Sequence, residues 1–88
     1  MLIAKVVGSI WATRKEESLQ GYKLLIVKQI DEYQREIGEA FVAVDTIGAG
    51  VGELVIVTTG SSARKISTGE EIPVDAAVVG IVDSMDVK

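Results

Sequence analysis

Apolar residues recur along this chain in short runs of strand length, not at helical spacing. Leu2 to Ala12 carries Ile3, Val6, Val7, Ile10 and Trp11 and predicts a first strand. Thr13 to Gly21 (TRKEESLQG) is polar and predicts a loop. Tyr22 to Asp31 predicts a second strand, with Leu24, Ile26 and Ile30 on one face and Leu25 and Val27 on the other. Glu32 to Glu39 is a polar connection with Gly38 near its end. Ala40 to Ile47 predicts a third strand through Phe41, Val42 and Val44. Gly48 to Gly52 (GAGVG) reads as a loop and Glu53 to Thr59 as a fourth strand. Gly60-Ser61-Ser62 predicts a turn capping a short helix, Ala63 to Ile66, because a serine oxygen accepts an N-terminal N–H. Ser67 to Pro73 is a loop holding the single proline, and Ala76 to Ser84 predicts a fifth strand.

Five short strands, Gly-marked connections and one helical turn predict an all-β fold, a small closed or nearly closed barrel. Residues 1–88 read as one domain, with no repeat or linker. Strands two, four and five are apolar on both faces, whereas a lone antiparallel barrel should keep one face polar. This points to burial against other copies of the chain. Size points the same way, because a domain of 88 residues buries only about 60–65% of its unfolded surface. Small chains compensate with disulfides, metals or oligomerisation. Cysteine is absent, and so is histidine. That removes disulfides and thiolate sites, and with them the commonest general base and metal ligand.

Charge narrows the classes further. Nine Lys plus Arg against 13 Asp plus Glu leave a net charge of −4, which disfavours non-specific nucleic-acid binding. No apolar run approaches the roughly 18 residues of a membrane helix. The first residues do not read as a signal peptide. No cofactor, metal, nucleic acid or membrane is expected.

Three stretches carry candidate chemistry. Gly-rich loops can cradle phosphate at a helix N-terminus. Here Asp45 to Glu53 runs from strand to strand, no Lys or Arg follows, and Glu53 would repel a phosphate. Gly48, Gly50 and Gly52 read instead as positions of positive φ, or of close approach by another backbone. In a ring of identical subunits such backbones crowd at the axis, so Gly48, Ala49, Gly50, Gly52 and Glu53 are candidate subunit contacts. Gly60, Ser61, Ser62 and Arg64 are expected to support the same region. A nucleophilic serine among them would need an adjacent base; there is no histidine, and Lys65 alone is poor evidence for a serine–lysine dyad. Arg64 reads as a partner for a carboxylate, with Asp45, Glu53 and Asp75 all open as its mate, within the chain or across a boundary. Asp75, Asp83 and Asp86 match no metal-loop spacing and read as solvated. Aromatics are 5% of the chain and not interleaved with basic residues, so a base-stacking face is disfavoured. Trp11 reads as a core or interface anchor.

These residues, in this order and spacing, resemble the EutN/CcmL family of bacterial microcompartment vertex proteins. The resemblance rests on Ala4-Lys5-Val6-Val7-Gly8, Trp11-Ala12-Thr13-Arg14-Lys15 and Leu19-Gln20-Gly21-Tyr22-Lys23-Leu24-Leu25. It continues through Val42-Ala43-Val44-Asp45, Gly48 to Glu53, Gly60 to Arg64 and Pro73 to Asp83, so it spans essentially the whole chain. It implies a five-stranded barrel similar to the oligonucleotide/oligosaccharide-binding type, with one short helix. It also implies homopentamers at the vertices of a polyhedral shell in the bacterial cytoplasm, beside hexameric shell proteins and without catalysis. Arg14 and Lys15 are the candidate rim contacts to those hexamers. The competing reading is a free-standing barrel that binds oligonucleotide or oligosaccharide.

Overall fold

The computed structural model describes residues 1–12, 17–65 and 74–88. Its strands are β1 (Leu2–Ile10), β2 (Lys23–Gln29), β3 (Phe41–Asp45), β4 (Leu54–Thr59) and β5 (Ala76–Ile81). They close into a barrel in the order β1-β2-β3-β5-β4. Every pairing is antiparallel except β3 with β5, where Val44 lies opposite Ala77 and Asp45 opposite Val78 in parallel. Closure gives each of these five strands a partner on both sides, so none of them is a free edge for stray pairing.

The pleat sorts the side chains. Ala4, Val6, Leu25, Val27, Ala43, Val55, Val57, Ala76 and Val78 point inward and are buried. All but one are Ala or Val, which suits the narrow interior of a five-stranded barrel. β1 bulges between Val6 and Gly8, and the β4–β5 pairing shifts register between Ile56 and Val57. Such irregularities bend and twist strands, which helps a small sheet to close. Two glycines serve the outer surface. A Cβ on Gly8 would stand 3.4 Å from Ile26 Cδ1, and one on Gly80 would stand 3.7 Å from Ile56 Cδ1. Each isoleucine therefore lies over the glycine of the neighbouring strand.

The predicted short helix is a 3₁₀ turn, Gly60–Lys65. Gly60, Ser61 and Ser62 form part of it instead of capping it. Gly60 has φ 71° and donates its N–H to the Asp75 carbonyl at 2.8 Å, which fixes how the chain leaves β4. Ala63 is then laid on the outer face of the barrel, against Val44 and Ala77, with Leu19, Tyr22, Leu24 and Val74 around them. This second cluster corrects one inference from sequence. Ala77 on the outer face of β5 is covered by the chain's own turn, not by another subunit. The remaining outward apolar residues have no such cover: Val7, Val42 and Val79 are each about 40% exposed or more.

The connection after β2 carries structure that its polar composition hid. The Asp31 carboxylate accepts N–H bonds from Tyr33 and Arg35 at 2.8 and 2.9 Å, and from Arg35 Nε at 2.7 Å. Gln34 takes φ 64°, a bridge joins Ile30 to Glu36, and Lys28 pairs with Glu36 at 3.1 Å. The Arg35 guanidinium lies over the Tyr33 ring. The Arg35 backbone N–H, more than any other contact, holds the Asp31 carboxyl below its ordinary pKa. A lowered folded pKa means the turn gains stability above the unfolded value and loses it as pH falls through the folded one. The Arg35 amide resonance should therefore titrate in NMR with a midpoint below that of a free aspartate. A midpoint at or above the free value would show that the turn does not hold the carboxylate.

Candidate functional site

Asp45 ends β3, and its side chain builds the glycine loop. Only 5% exposed, it accepts the N–H of Ile47 at 2.9 Å, that of Gly48 at 3.1 Å and that of Ala49 at 2.8 Å. An aspartate that bonds the backbone ahead of it competes with continuing the strand. This is why β3 stops at Asp45 and not at Ile47. The chain then turns inward. The Ala49 methyl is fully buried and belongs to the barrel core. Lys23 Nζ donates to the Ala49 carbonyl at 3.2 Å. Glu53 Oε1 accepts the Gly50 N–H at 2.6 Å, the Gly52 N–H reaches the Val6 carbonyl at 2.8 Å, and the Val6 N–H returns to the Glu53 carbonyl at 3.0 Å. The loop is thereby stitched to β1.

Two of its glycines are demanded by backbone shape. Gly48 has φ 99° and Gly52 has φ 93°, where an L side chain is strained, although nothing stands within 4 Å of a Cβ at either. Gly50 has no positive φ, and a Cβ there would meet Glu53 Oε1 at 3.4 Å. Close approach in this loop is therefore not imposed by the chain itself. Its exposed tips are Ile47 and Val51, the latter 67% exposed.

The arrangement bears directly on chemistry. Successive backbone N–H groups form a concavity that can take an anion. Here the Asp45 carboxylate fills that concavity from within and already takes the N–H groups of Ile47, Gly48 and Ala49. Among the described residues, no group of three His, Cys, Asp or Glu side chains could hold a metal. No helix among them is long and apolar enough to cross a membrane.

The other candidates fall elsewhere. Gly60, Ser61, Ser62 and Arg64 lie at the opposite end of β4, six strand residues away, roughly 20 Å at the usual rise. On one chain they and the glycine loop are two patches, not the single region expected from sequence. Arg64 is exposed and makes no ion pair among the described residues, where the pairs are Lys28–Glu36 and Arg35–Asp31. Asp45 is not its partner within the chain, because backbone donors occupy both carboxylate oxygens. Arg14 and Lys15 lie outside the described residues. Trp11 is no core anchor, being 93% exposed beyond the end of β1. Sequence reasoning gave Lys23 no role of its own. It placed Asp45 at the head of the glycine loop and among three possible mates for Arg64, but gave it no part in folding the loop, although an Asp three residues before a glycine was the available signal for a side-chain-built turn.

The match to known proteins runs almost from end to end. A family model described as "Ethanolamine utilisation protein EutN/carboxysome" matches residues 1–83. The chain belongs to the EutN/CcmL family. It is 48% identical over 88 residues to the carboxysome shell vertex protein CcmL of Synechococcus elongatus, covering 100% of this chain and 89% of that one. It is 45% identical over 85 residues to the microcompartment shell vertex protein EutN of Salmonella typhimurium, covering 97% and 86%. Its barrel is similar to the pentameric microcompartment shell protein GrpN of Rhodospirillum rubrum, with a TM-score of 0.88 and 48% identity over 100% and 99% of the two chains. Family members therefore share this fold over its full length.

Proposed function

We propose that this chain is a structural protein of a bacterial microcompartment shell, forming pentamers that cap the vertices of the polyhedron. The observation that carries the reading is the full-length likeness to a pentameric shell protein at 48% identity. The physical features agree with it. A cyclic ring needs two different patches, one meeting the other on the next copy. The barrel offers the glycine loop before β4 and the 3₁₀ turn after it, with exposed Val7, Val42 and Val79 on its outside. Gly48, Gly50, Gly52 and Glu53 are assigned to the contacts nearest the five-fold axis, with Ala49 contributing backbone only. Gly60, Ser61, Ser62 and Arg64 form the second contact patch, where Arg64 meets a carboxylate of the adjacent copy.

The mechanism is geometric. Hexameric shell proteins tile a flat sheet. A five-fold unit in place of a six-fold one introduces curvature and permits closure. The partners are four further copies and the hexamers at the rim, where Arg14 and Lys15 are the proposed contacts. The location is the shell of a microcompartment in the bacterial cytoplasm. Neither catalysis, cofactor, nucleic acid nor membrane enters this reading. Native mass spectrometry of the purified chain should give a dominant five-subunit species. A stable monomer at every concentration would overturn the vertex role and favour a free-standing binding barrel.

The single tryptophan supplies an internal reporter. With Trp11 93% exposed on the isolated chain, its emission should resemble that of indole in water under dilute conditions that favour monomer. Emission should shift to shorter wavelength as the ring forms, because aromatic anchors are enriched in subunit contacts. An unchanged maximum across that transition would place Trp11 outside the contact.

A further inference from the structure

The outer surface of the barrel carries one arrangement twice. On β1, Val7 is the extra residue of the bulge, because Val6 lies opposite Val27 and Gly8 opposite Ile26. On β5, Val79 is extra in the same way, with Val78 opposite Val57 and Gly80 opposite Ile56. In both places an isoleucine of the neighbouring strand lies over the glycine, and the extra valine is exposed. Both isoleucines point outward, because Leu25, Val27, Val55 and Val57 beside them point into the core. Each arrangement continues onto a third strand. Ile26 stands opposite Val42 of β3, and Ile56 opposite Ile3 of β1. One apolar row is therefore Val7, Ile26 and Val42, across β1, β2 and β3. The other is Ile3, Ile56 and Val79, across β1, β4 and β5.

The rows are separate and differ in shape. The β3–β5 seam lies between them on one side and is covered by the chain's own turn, with Ala63 over Val44 and Ala77. On the other side exposed Lys5 stands between Ile3 and Val7 along β1, with Lys28 opposite it. The second row borders a groove that Met1 and Ile37 also line. Apolar patches of this kind on a small protein mark contacts. An isologous pair of copies would bury one row against itself and leave the other in water. A closed ring uses each row once per copy and leaves neither over. The pentameric relative at 48% identity supplies such a ring as the occupant, a further copy of this chain on each face.

We propose that the Val7–Ile26–Val42 face of one copy packs on the Ile3–Ile56–Val79 face of the next. The inference rests on the ring reading above and adds side walls to the loop and turn contacts assigned there.

Val42→Asp and Val79→Asp test the two faces separately, because each places one unpaired charge in the middle of one apolar contact. Both positions are exposed on the isolated chain, so circular dichroism should show unchanged strand content. Native mass spectrometry should show loss of the five-subunit species in each variant, under conditions where the wild type keeps it. A folded variant that keeps five subunits overturns the face assignment and leaves the ring reading intact. A wild type that forms no ring overturns that reading, and the inference with it. Where a variant fails to fold, a crystal structure of the wild-type ring decides. The two rows packed on each other bear the inference out, and either row facing solvent overturns it.

Discussion

Asp45→Ala is expected to lower the unfolding free energy by about 3 kcal/mol, the scale of hydrogen bonds to a buried charged acceptor. The variant strips the partner from the N–H groups of Ile47, Gly48 and Ala49 together. It also frees a segment whose Ala49 methyl seals part of the barrel core. Against a total stability of about 5–15 kcal/mol for a typical domain, such a loss is large. Denaturant unfolding of the wild type and the variant reads it directly. Asp45→Asn should fall between them, because one amide oxygen can accept where two carboxylate oxygens did, while its NH₂ faces other donors. Comparison must be made at equal chain concentration, because a ring adds assembly energy to apparent stability. A change within about 0.5 kcal/mol, the range of ordinary surface substitutions, would mean that Asp45 does not organise the loop.

Gly50→Leu is expected to abolish the ring while leaving the barrel folded. The new Cβ would meet Glu53 Oε1 at 3.4 Å, and the rest of the side chain would displace the carboxylate that holds the Gly50 N–H. Glu53 is exposed and flexible enough to move, so the barrel core is not disturbed. The isobutyl group then stands where the neighbouring backbone is proposed to approach. Native mass spectrometry should show monomer where the wild type shows five subunits, and circular dichroism should show an unchanged strand signal. An intact pentamer would place the axis elsewhere. Gly48→Ala makes a useful contrast, because nothing crowds its Cβ and its cost is backbone strain alone, about 1–2 kcal/mol.

The strands were readable because their side chains alternate in period two. Four of the five appear close to their predicted bounds, and the differences lie at the ends. β1 stops at Ile10, before Trp11, and β5 stops at Ile81, before Ser84. β3 ended early for a reason local to Asp45, which draws the following N–H groups onto itself. The Asp31–Arg35 turn escaped notice because polar composition alone does not reveal which carboxylate will gather which amides. The two-sided apolar pattern was a sound sign of extra burial. It could not distinguish cover by Ala63 of the same chain, which β5 receives at Ala77, from cover by another subunit. The glycine loop was recognised as special, but the donors that fold it were not.

Local patterning in the sequence by itself determined the five strands, the glycine punctuation between them and the lack of histidine and cysteine chemistry. Those properties depend on residues near one another along the chain, where alternation and turn preference act directly. Only the tertiary structure decided that β3 pairs with β5 in parallel, that Ala49 enters the core, that Asp45 is buried under its own loop and that Trp11 stands in the open. Each of these depends on groups brought together by barrel closure. Closure selects among non-local pairings by total burial and hydrogen-bond satisfaction, which no short stretch of sequence encodes.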